Sequence, residues 1–105
     1  MAQKTYAGVA VDVDAEGFMT NHAQWTREIA GAIAVEEGIV ALTPDHWKVL
    51  AFMQQEAREK GTAPSIRKLS KAGVISTKEL YTIFPGSPAK KAAKIAGLPK
   101  PVGCV

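Results

Sequence analysis

Residues that start and stop helices constrain this chain most strongly. Between residues 21 and 97, each apolar segment with helical spacing begins near a polar cap or a proline and ends at a glycine or a proline. Proline is preorganised for the first helical turn, whereas glycine readily adopts the left-handed conformation in which many helices end. Together these signals predict five helices, over residues 25–37, 44–60, 64–72, 77–84 and 88–96.

The first twenty residues have a different pattern. Short β-branched and aromatic runs alternate with glycine-containing turns at Gly8 and Gly17, which predicts a β-hairpin over residues 5–19. Strands this short need helices to pack against. With 105 residues and 47% hydrophobic side chains, the chain has room for one core. We therefore predict a mostly α (α+β) fold, in which residues 1–97 form one small helical domain with an N-terminal β-hairpin.

Residues 98–105 end the chain with two prolines, Pro99 and Pro101, which exclude a helix and favour an extended segment. Eight extended residues reach roughly 25 Å, about the diameter of such a domain. Gly103 adds conformational freedom just before Cys104, the next-to-last residue. We predict a flexible C-terminal arm that bears Cys104.

Cys104 is the only cysteine, so an intramolecular disulfide is excluded. A penultimate cysteine is often incidental, but a free thiol beyond a proline-containing arm is poorly placed for burial. A thiolate on such an arm suits covalent carriage of sulfane sulfur, as a persulfide, from one protein to another. That role requires no base, metal or cofactor on the carrier, and we predict no metal site and no cofactor.

Charge is distributed unevenly: residues 1–57 carry a net charge of −5 and residues 58–105 a net charge of +8. We predict that Lys90, Lys91, Lys94 and Lys100, beside the arm, dock onto acidic partner proteins. The alternative is a solvated lysine-rich face. We find no signal peptide and no apolar run of membrane-spanning length, and expect a cytoplasmic protein without membrane insertion.

Residues 65–80 are typical of a helix-turn-helix, with Gly73 in the turn and Ser76 as a cap. Arg67, Lys68 and Lys71 would then meet phosphates. The second helix has no Arg, Asn or Gln for a bidentate base contact, so ordinary helix packing is the preferred interpretation and nucleic acid is not favoured as a partner. A DNA-binding regulator remains an alternative. Trp25 and Trp47 fit helix packing better than base stacking.

Four segments of the chain, GFMTNHAQW, LTPDHW, APSIRKLSK and LYTIFPGSPAKKAAKIAGLPKPVGCV, resemble the DsrC/TusE family of sulfur carriers. The resemblance implies a helical domain with a β-hairpin, a helix-turn-helix-like element and a mobile arm whose penultimate cysteine, here Cys104, bears sulfur. It also implies that Arg67 matches an arginine that lies near the arm. TusE-type members pass persulfide sulfur from TusBCD towards tRNA 2-thiolation. DsrC-type members insert the arm into dissimilatory sulfite reductase and form a trisulfide between two cysteines.

The sequence departs from the DsrC pattern at Ala93, where the resemblance places the second cysteine. One thiol cannot close an intramolecular trisulfide, so we predict a single-cysteine persulfide relay of the DsrC/TusE type, with a TusE-like arm, that serves tRNA 2-thiolation or sulfur metabolism. The alternative within the family is a partner or regulatory homologue of sulfite reductase or sulfur-oxidation complexes. A smaller departure is Ser87, which stands before Pro88 where relatives have glycine. We expect Ser87 to cap the last helix.

Overall fold

The computed structural model describes residues 2–61, 63–64 and 66–99. An antiparallel hairpin, β1 (Ala2–Tyr6) and β2 (Val9–Val13), precedes a short 3-10 turn (His22–Gln24) and five helices. The mostly helical α+β prediction is therefore confirmed. Within the described residues, no helix combines the length and the apolar character needed to cross a membrane. The helices are α1 (Arg27–Glu36), α2 (Pro44–Lys60), α3 (Ile66–Lys71), α4 (Thr77–Ile83) and α5 (Pro88–Ile95).

The hairpin turns through two residues, Ala7 and Gly8, with φ values of 53° and 78°. Both values are positive, as the tight turn that matches strand twist requires. The paired strands occupy residues 2–13 rather than 5–19, and Met19 adds only a single bridge to Val13. Apolar alternation missed the start of β1 because that part of the ladder pairs polar side chains, such as Gln3 opposite Asp12.

Local capping explains why α2 begins and ends where the sequence predicts. The Thr43 hydroxyl faces the His46 backbone N–H, while Nδ1 of His46 accepts from the Thr43 backbone N–H at 2.9 Å. Gly61 ends the helix in the left-handed region, at φ 79°. The stripe predicted to be buried was His46, Val49, Leu50, Met53 and Ala57. The first four are buried, whereas Ala57 is only partly buried against the core.

Two predicted helix starts and one predicted cap need correction. α1 begins at Arg27 behind a Thr26 cap rather than at Trp25, because Trp25 has extended backbone. Asn21 caps the 3-10 turn that leads into Trp25, as its position in the sequence predicts. α3 begins at Ile66 rather than at residue 64. Ser87 makes no side-chain capping hydrogen bond to α5, so the expected serine cap is wrong.

Helix α5 lies at the centre of the core, where α1, α2 and α4 all pack against it. Its inward face is formed by the fully buried residues Ala92, Ala93 and Ile95, followed by Ala96. Alanines at these positions allow neighbouring helices to approach closely. The last turn of α5, where the chain leaves the domain, is consequently surrounded by other elements.

A polar cluster ties the hairpin to the end of α1. The Lys4 ammonium donates to both Glu36 carboxylate oxygens at 2.8 Å, and the Tyr6 hydroxyl donates to the same carboxylate at 3.0 Å. Burial raises the pKa of the Glu36 carboxyl, but the hydrogen bonds from Lys4 and Tyr6 outweigh burial and bring the pKa below its usual value.

We expect this cluster to make stability depend on pH in the acid range. Because the pKa of Glu36 is lower in the folded chain, its contribution is present above the unfolded pKa and is lost as pH falls through the folded pKa. The cluster is partly exposed, so the loss should be below about 1 kcal/mol. Urea unfolding of wild type and Glu36→Gln across acid pH tests this, since the stability difference between them should shrink on acidification. A constant difference would contradict the assignment.

Candidate functional site

The root of the C-terminal tail, residues 95–98, is held by three side chains from two separate parts of the chain. Carbonyl groups in the last turn of a helix have no partner within the helix. Here three consecutive carbonyls each accept from a different side chain, and since a carbonyl can only accept, His22 Nδ1 must carry a proton. The pairs are Trp25 Nε1 with Ile95 at 2.8 Å, Gln54 Nε2 with Ala96 at 2.9 Å, and His22 Nδ1 with Gly97 at 3.0 Å.

Gly97 makes the turn that ends α5. Its φ is +72°, its N–H donates to the Lys94 carbonyl, and the next N–H, from Leu98, donates to the Ala93 carbonyl at 2.9 Å. This is the glycine-terminated pattern that commonly closes helices. A Cβ on Gly97 would lie 2.5 Å from Cδ1 of Trp25. Both the backbone conformation and the indole contact therefore require glycine here.

The described part of the tail ends soon after this turn. Leu98, the first residue of the predicted arm, is only 4% exposed and belongs to the core, whereas Pro99 is exposed. Residues 100–105, with Lys100, Pro101, Gly103 and Cys104, lie outside the described residues, and their roles remain predictions.

The α5 lysines gather around a surface cavity of about 280 Å³, together with Glu37 and Phe18. Lys94 pairs with the Glu37 carboxylate at 3.3 Å, and Lys91 donates to the Glu37 backbone carbonyl at 3.2 Å. Both positive charges therefore lie at the negative end of the α1 dipole, where they stabilise the helix. Lys90 lines the same cavity, and within the described ranges no carboxylate pairs with it.

Arg67 lies elsewhere, exposed on α3, a helix that packs on α4. Gly73 turns the chain between these helices at φ +76°, and the Thr77 hydroxyl donates to the Ser70 hydroxyl across the turn at 3.0 Å. The adjacent Lys68 pairs with Glu56 of α2 at 2.6 Å, and this hydrogen bond lowers the pKa of the Glu56 carboxyl. The helix-turn-helix-like element predicted from the sequence is therefore present, and the ion pair between Lys68 and Glu56 joins it to α2.

A groove beside the tail root was not predicted. It has a volume of about 300 Å³, and the Arg27 guanidinium lies 4.2 Å from the centre of the Trp47 ring within it. The sequence indicated only helix packing for Trp25 and Trp47, because the residues that line the groove come from distant positions. We call it the tryptophan groove, and its lining residues are Trp25, Arg27, Trp47, Leu50, Ala51 and Gln54.

The family profile described as "DsrC like protein" matches residues 5–105, a range that includes the tail root and Cys104. The chain belongs to the DsrC-like family. Among curated members, the "Sulfite reductase, dissimilatory-type subunit gamma" of Nitratidesulfovibrio vulgaris is 43% identical over 105 residues, covering 100% of both chains. "Sulfurtransferase TusE" of Escherichia coli strain K12 is 41% identical over 107 aligned positions, covering 95% of this chain and 97% of its own.

Solved structures agree with this membership. A structure described as "dissimilatory sulfite reductase I (DsrI)" superposes with a TM-score of 0.86 at 42% identity, covering 99% of this chain and 100% of that one. The oxidised gamma subunit, DsrC, of Archaeoglobus fulgidus gives a TM-score of 0.82 at 32% identity, with the same coverage. These DsrC-like and TusE relatives support a sulfur-relay role and do not support a DNA-binding regulator.

Proposed function

We propose that this DsrC-like chain is a sulfur carrier in which Cys104 bears one sulfane sulfur as a persulfide. The observation that carries the proposal is the residue at position 93. An alanine stands there with 0% exposure, and the family match extends through a tail that holds the chain's only cysteine. A single thiol supports a persulfide and excludes an intramolecular trisulfide.

The transfer step needs no external oxidant or reductant. The Cys104 thiol first loses its proton to solvent, and the thiolate attacks the terminal sulfur of a donor persulfide, R–S–SH. A new S–S bond forms on Cys104 as the donor S–S bond breaks, and the donor leaves as a thiolate that takes up a proton. Release to an acceptor thiolate repeats the exchange in reverse, so the two steps together move one neutral sulfur atom.

The tail root suits this function because it fixes the point at which the tail leaves the domain. Cys104 lies five residues beyond Pro99, and an extended segment of that length spans about 16 Å. The thiol could therefore enter a partner's pocket while the domain stays outside. Pro99 and Pro101 favour extension, and Gly103 allows the final turn towards the reacting sulfur.

For partners we propose a persulfide donor and acceptor of the kind that serve TusE, with sulfite-reductase-like complexes as a second candidate. The first candidate follows from the single thiol. The second is favoured by full-length similarity to a protein named as a sulfite reductase subunit. In either case we propose a cytoplasmic location, where thiols are kept reduced.

The lysine surface of α5, formed by Lys90, Lys91 and Lys94, is proposed to attract acidic partners at long range, with Lys100 and Arg67 adding to the same basic half. Lys91 and Lys94 already contact Glu37 at the end of α1. Long-range electrostatic steering of a partner therefore suits these two lysines better than tight contact with it.

Raising ionic strength should therefore lower the association rate more than it raises the dissociation rate. A change from 50 mM to 500 mM salt is expected to slow association by about tenfold, because charges more than a Debye length apart are screened. Surface plasmon resonance against an immobilised partner separates the two rates. An association rate that does not change with salt would contradict steering.

The two partner classes can be separated by intact-mass measurement. The chain is mixed either with TusBCD complex in its persulfide form or with dissimilatory sulfite reductase that is reducing sulfite. We expect the first to add one sulfur to the wild type and none to Cys104→Ser. Sulfur gained only from sulfite reductase would favour the second candidate. Failure to gain sulfur from either protein would contradict the carrier function.

A further inference from the structure

We propose that the tryptophan groove is the docking surface for the sulfur-exchange partner, and that it takes a partner segment presenting an apolar side chain beside a carboxylate. The inference rests on the proposed carrier function and identifies the surface that this function uses. The groove lies beside the tail root, since two of its six lining residues, Trp25 and Gln54, also donate hydrogen bonds to the tail-root carbonyls.

The length of the tail determines which surface must meet the partner. Cys104 is only five residues beyond Pro99, which corresponds to about 16 Å of extended chain. A thiol that reaches a reactive sulfur inside a partner uses most of that length within the partner. The partner must therefore approach the tail root closely, and the groove next to the root becomes part of the interface.

The groove also has the composition of an interface centre. Trp47 is half-buried and packs against the core. Leu50, which also lines the groove, is 1% exposed, and the lining residue Ala51 is small and exposed. Tryptophan and arginine are the residues most enriched among binding hot spots. A cavity of about 300 Å³ accommodates an apolar side chain without rearrangement of the core.

Arg27 determines the charge of the occupant. Its guanidinium stacks on the Trp47 ring and is exposed, and in the described part of the chain it forms no salt bridge. A stacked guanidinium keeps its N–H edge available, and that edge binds a carboxylate with two parallel hydrogen bonds. The fitting partner segment therefore carries an aspartate or glutamate next to the side chain that fills the groove.

The first test is a binding series with purified TusBCD complex and dissimilatory sulfite reductase as probes, measured by calorimetry. Arg27→Glu should weaken binding to the cognate probe by at least about tenfold. Ala51→Gln, which fills the groove without adding charge, should weaken it similarly. Arg58→Glu is the matched control, because it makes the same charge change on an exposed residue of α2 outside the groove lining, and should stay within about twofold of wild type.

The second test follows groove occupancy directly. The chain has two tryptophans and both line the groove, so incorporated 5-fluorotryptophan gives two fluorine NMR resonances that report on it. Unlabelled partner should shift both resonances. Because Trp25 also contacts the tail root, the Trp47 resonance is decisive.

The outcomes separate this inference from the function on which it rests. If wild type and Arg27→Glu bind a probe equally and the Trp47 resonance does not move, the groove is not the docking surface while the carrier function stands. If Lys90→Glu alone weakens binding, the lysine surface of α5 is the contact instead, and the inference is wrong. If wild type binds neither probe, the proposed partners and the groove inference both fail.

Unfolding midpoints within about 2 °C of wild type would show that the variants are folded.

Discussion

Gly97→Ala is expected to lower the free energy of unfolding by about 2–5 kcal/mol. Two costs combine at this position. A non-glycine residue in the left-handed region costs about 1–2 kcal/mol, and Gly97 has a φ of +72°. The added Cβ would also lie 2.5 Å from Cδ1 of Trp25, and relieving such overpacking typically costs about 1–3 kcal/mol.

Gly38→Ala is the matched control. Gly38 has a φ of +89°, but a Cβ there meets nothing within 4 Å, so only the backbone cost of about 1–2 kcal/mol applies. Urea unfolding followed by circular dichroism gives both values. In a Trp25→Ala background, the extra cost of Gly97→Ala should disappear. Equal losses in the two glycine variants would show that the Trp25 contact does not restrict Gly97.

The boundaries of α2 could be predicted from sequence because its start and stop signals are local. Thr43 and His46 are three residues apart, and Gly61 follows its helix directly, so a linear pattern contains the information. The start of α1 was misplaced because Trp25 keeps an extended backbone while its indole binds the Ile95 carbonyl, 70 residues away. A capping signal cannot reveal a contact of that range.

The candidate site also has features that the sequence reveals and features that depend on contacts between distant residues. Cys104 and the significance of Ala93 were available from the sequence, through the composition of the tail and the family resemblance. The tail root was not, since its three side-chain contacts join residues 42 to 75 positions apart. The tryptophan groove was missed for the same reason, and Trp25 and Trp47 were interpreted only as packing residues.

The lysines show how composition alone can mislead about contacts. Their number and position beside the tail suggested a docking surface. In the structure, Lys94 is 14% exposed and paired with Glu37, and Lys91 is bound to the end of α1. Part of the positive charge thus stabilises the domain itself. Arg27, in the acidic half of the sequence, is the more available cation near the tail root.

Cys104→Ser is expected to reduce sulfur loading to background. A thiolate is the attacking group in persulfide exchange, and a serine hydroxyl is not ionised at neutral pH and forms no stable bond to sulfane sulfur. The chain contains one cysteine, so no second thiol can substitute for it. The serine substitution replaces only the side-chain sulfur of residue 104 by oxygen. We therefore expect the free energy of unfolding to match that of wild type.

Intact-mass spectrometry after incubation with a persulfide donor tests the central claim most directly. We predict that wild type gains the mass of one sulfur atom, that dithiothreitol removes it, and that the extra sulfur maps to the peptide ending at Val105. Cys104→Ser, equally folded, should gain none. A wild type that remains unmodified by the donor, or a Cys104→Ser variant that gains the same mass, would contradict the assignment of Cys104 as the sulfur carrier.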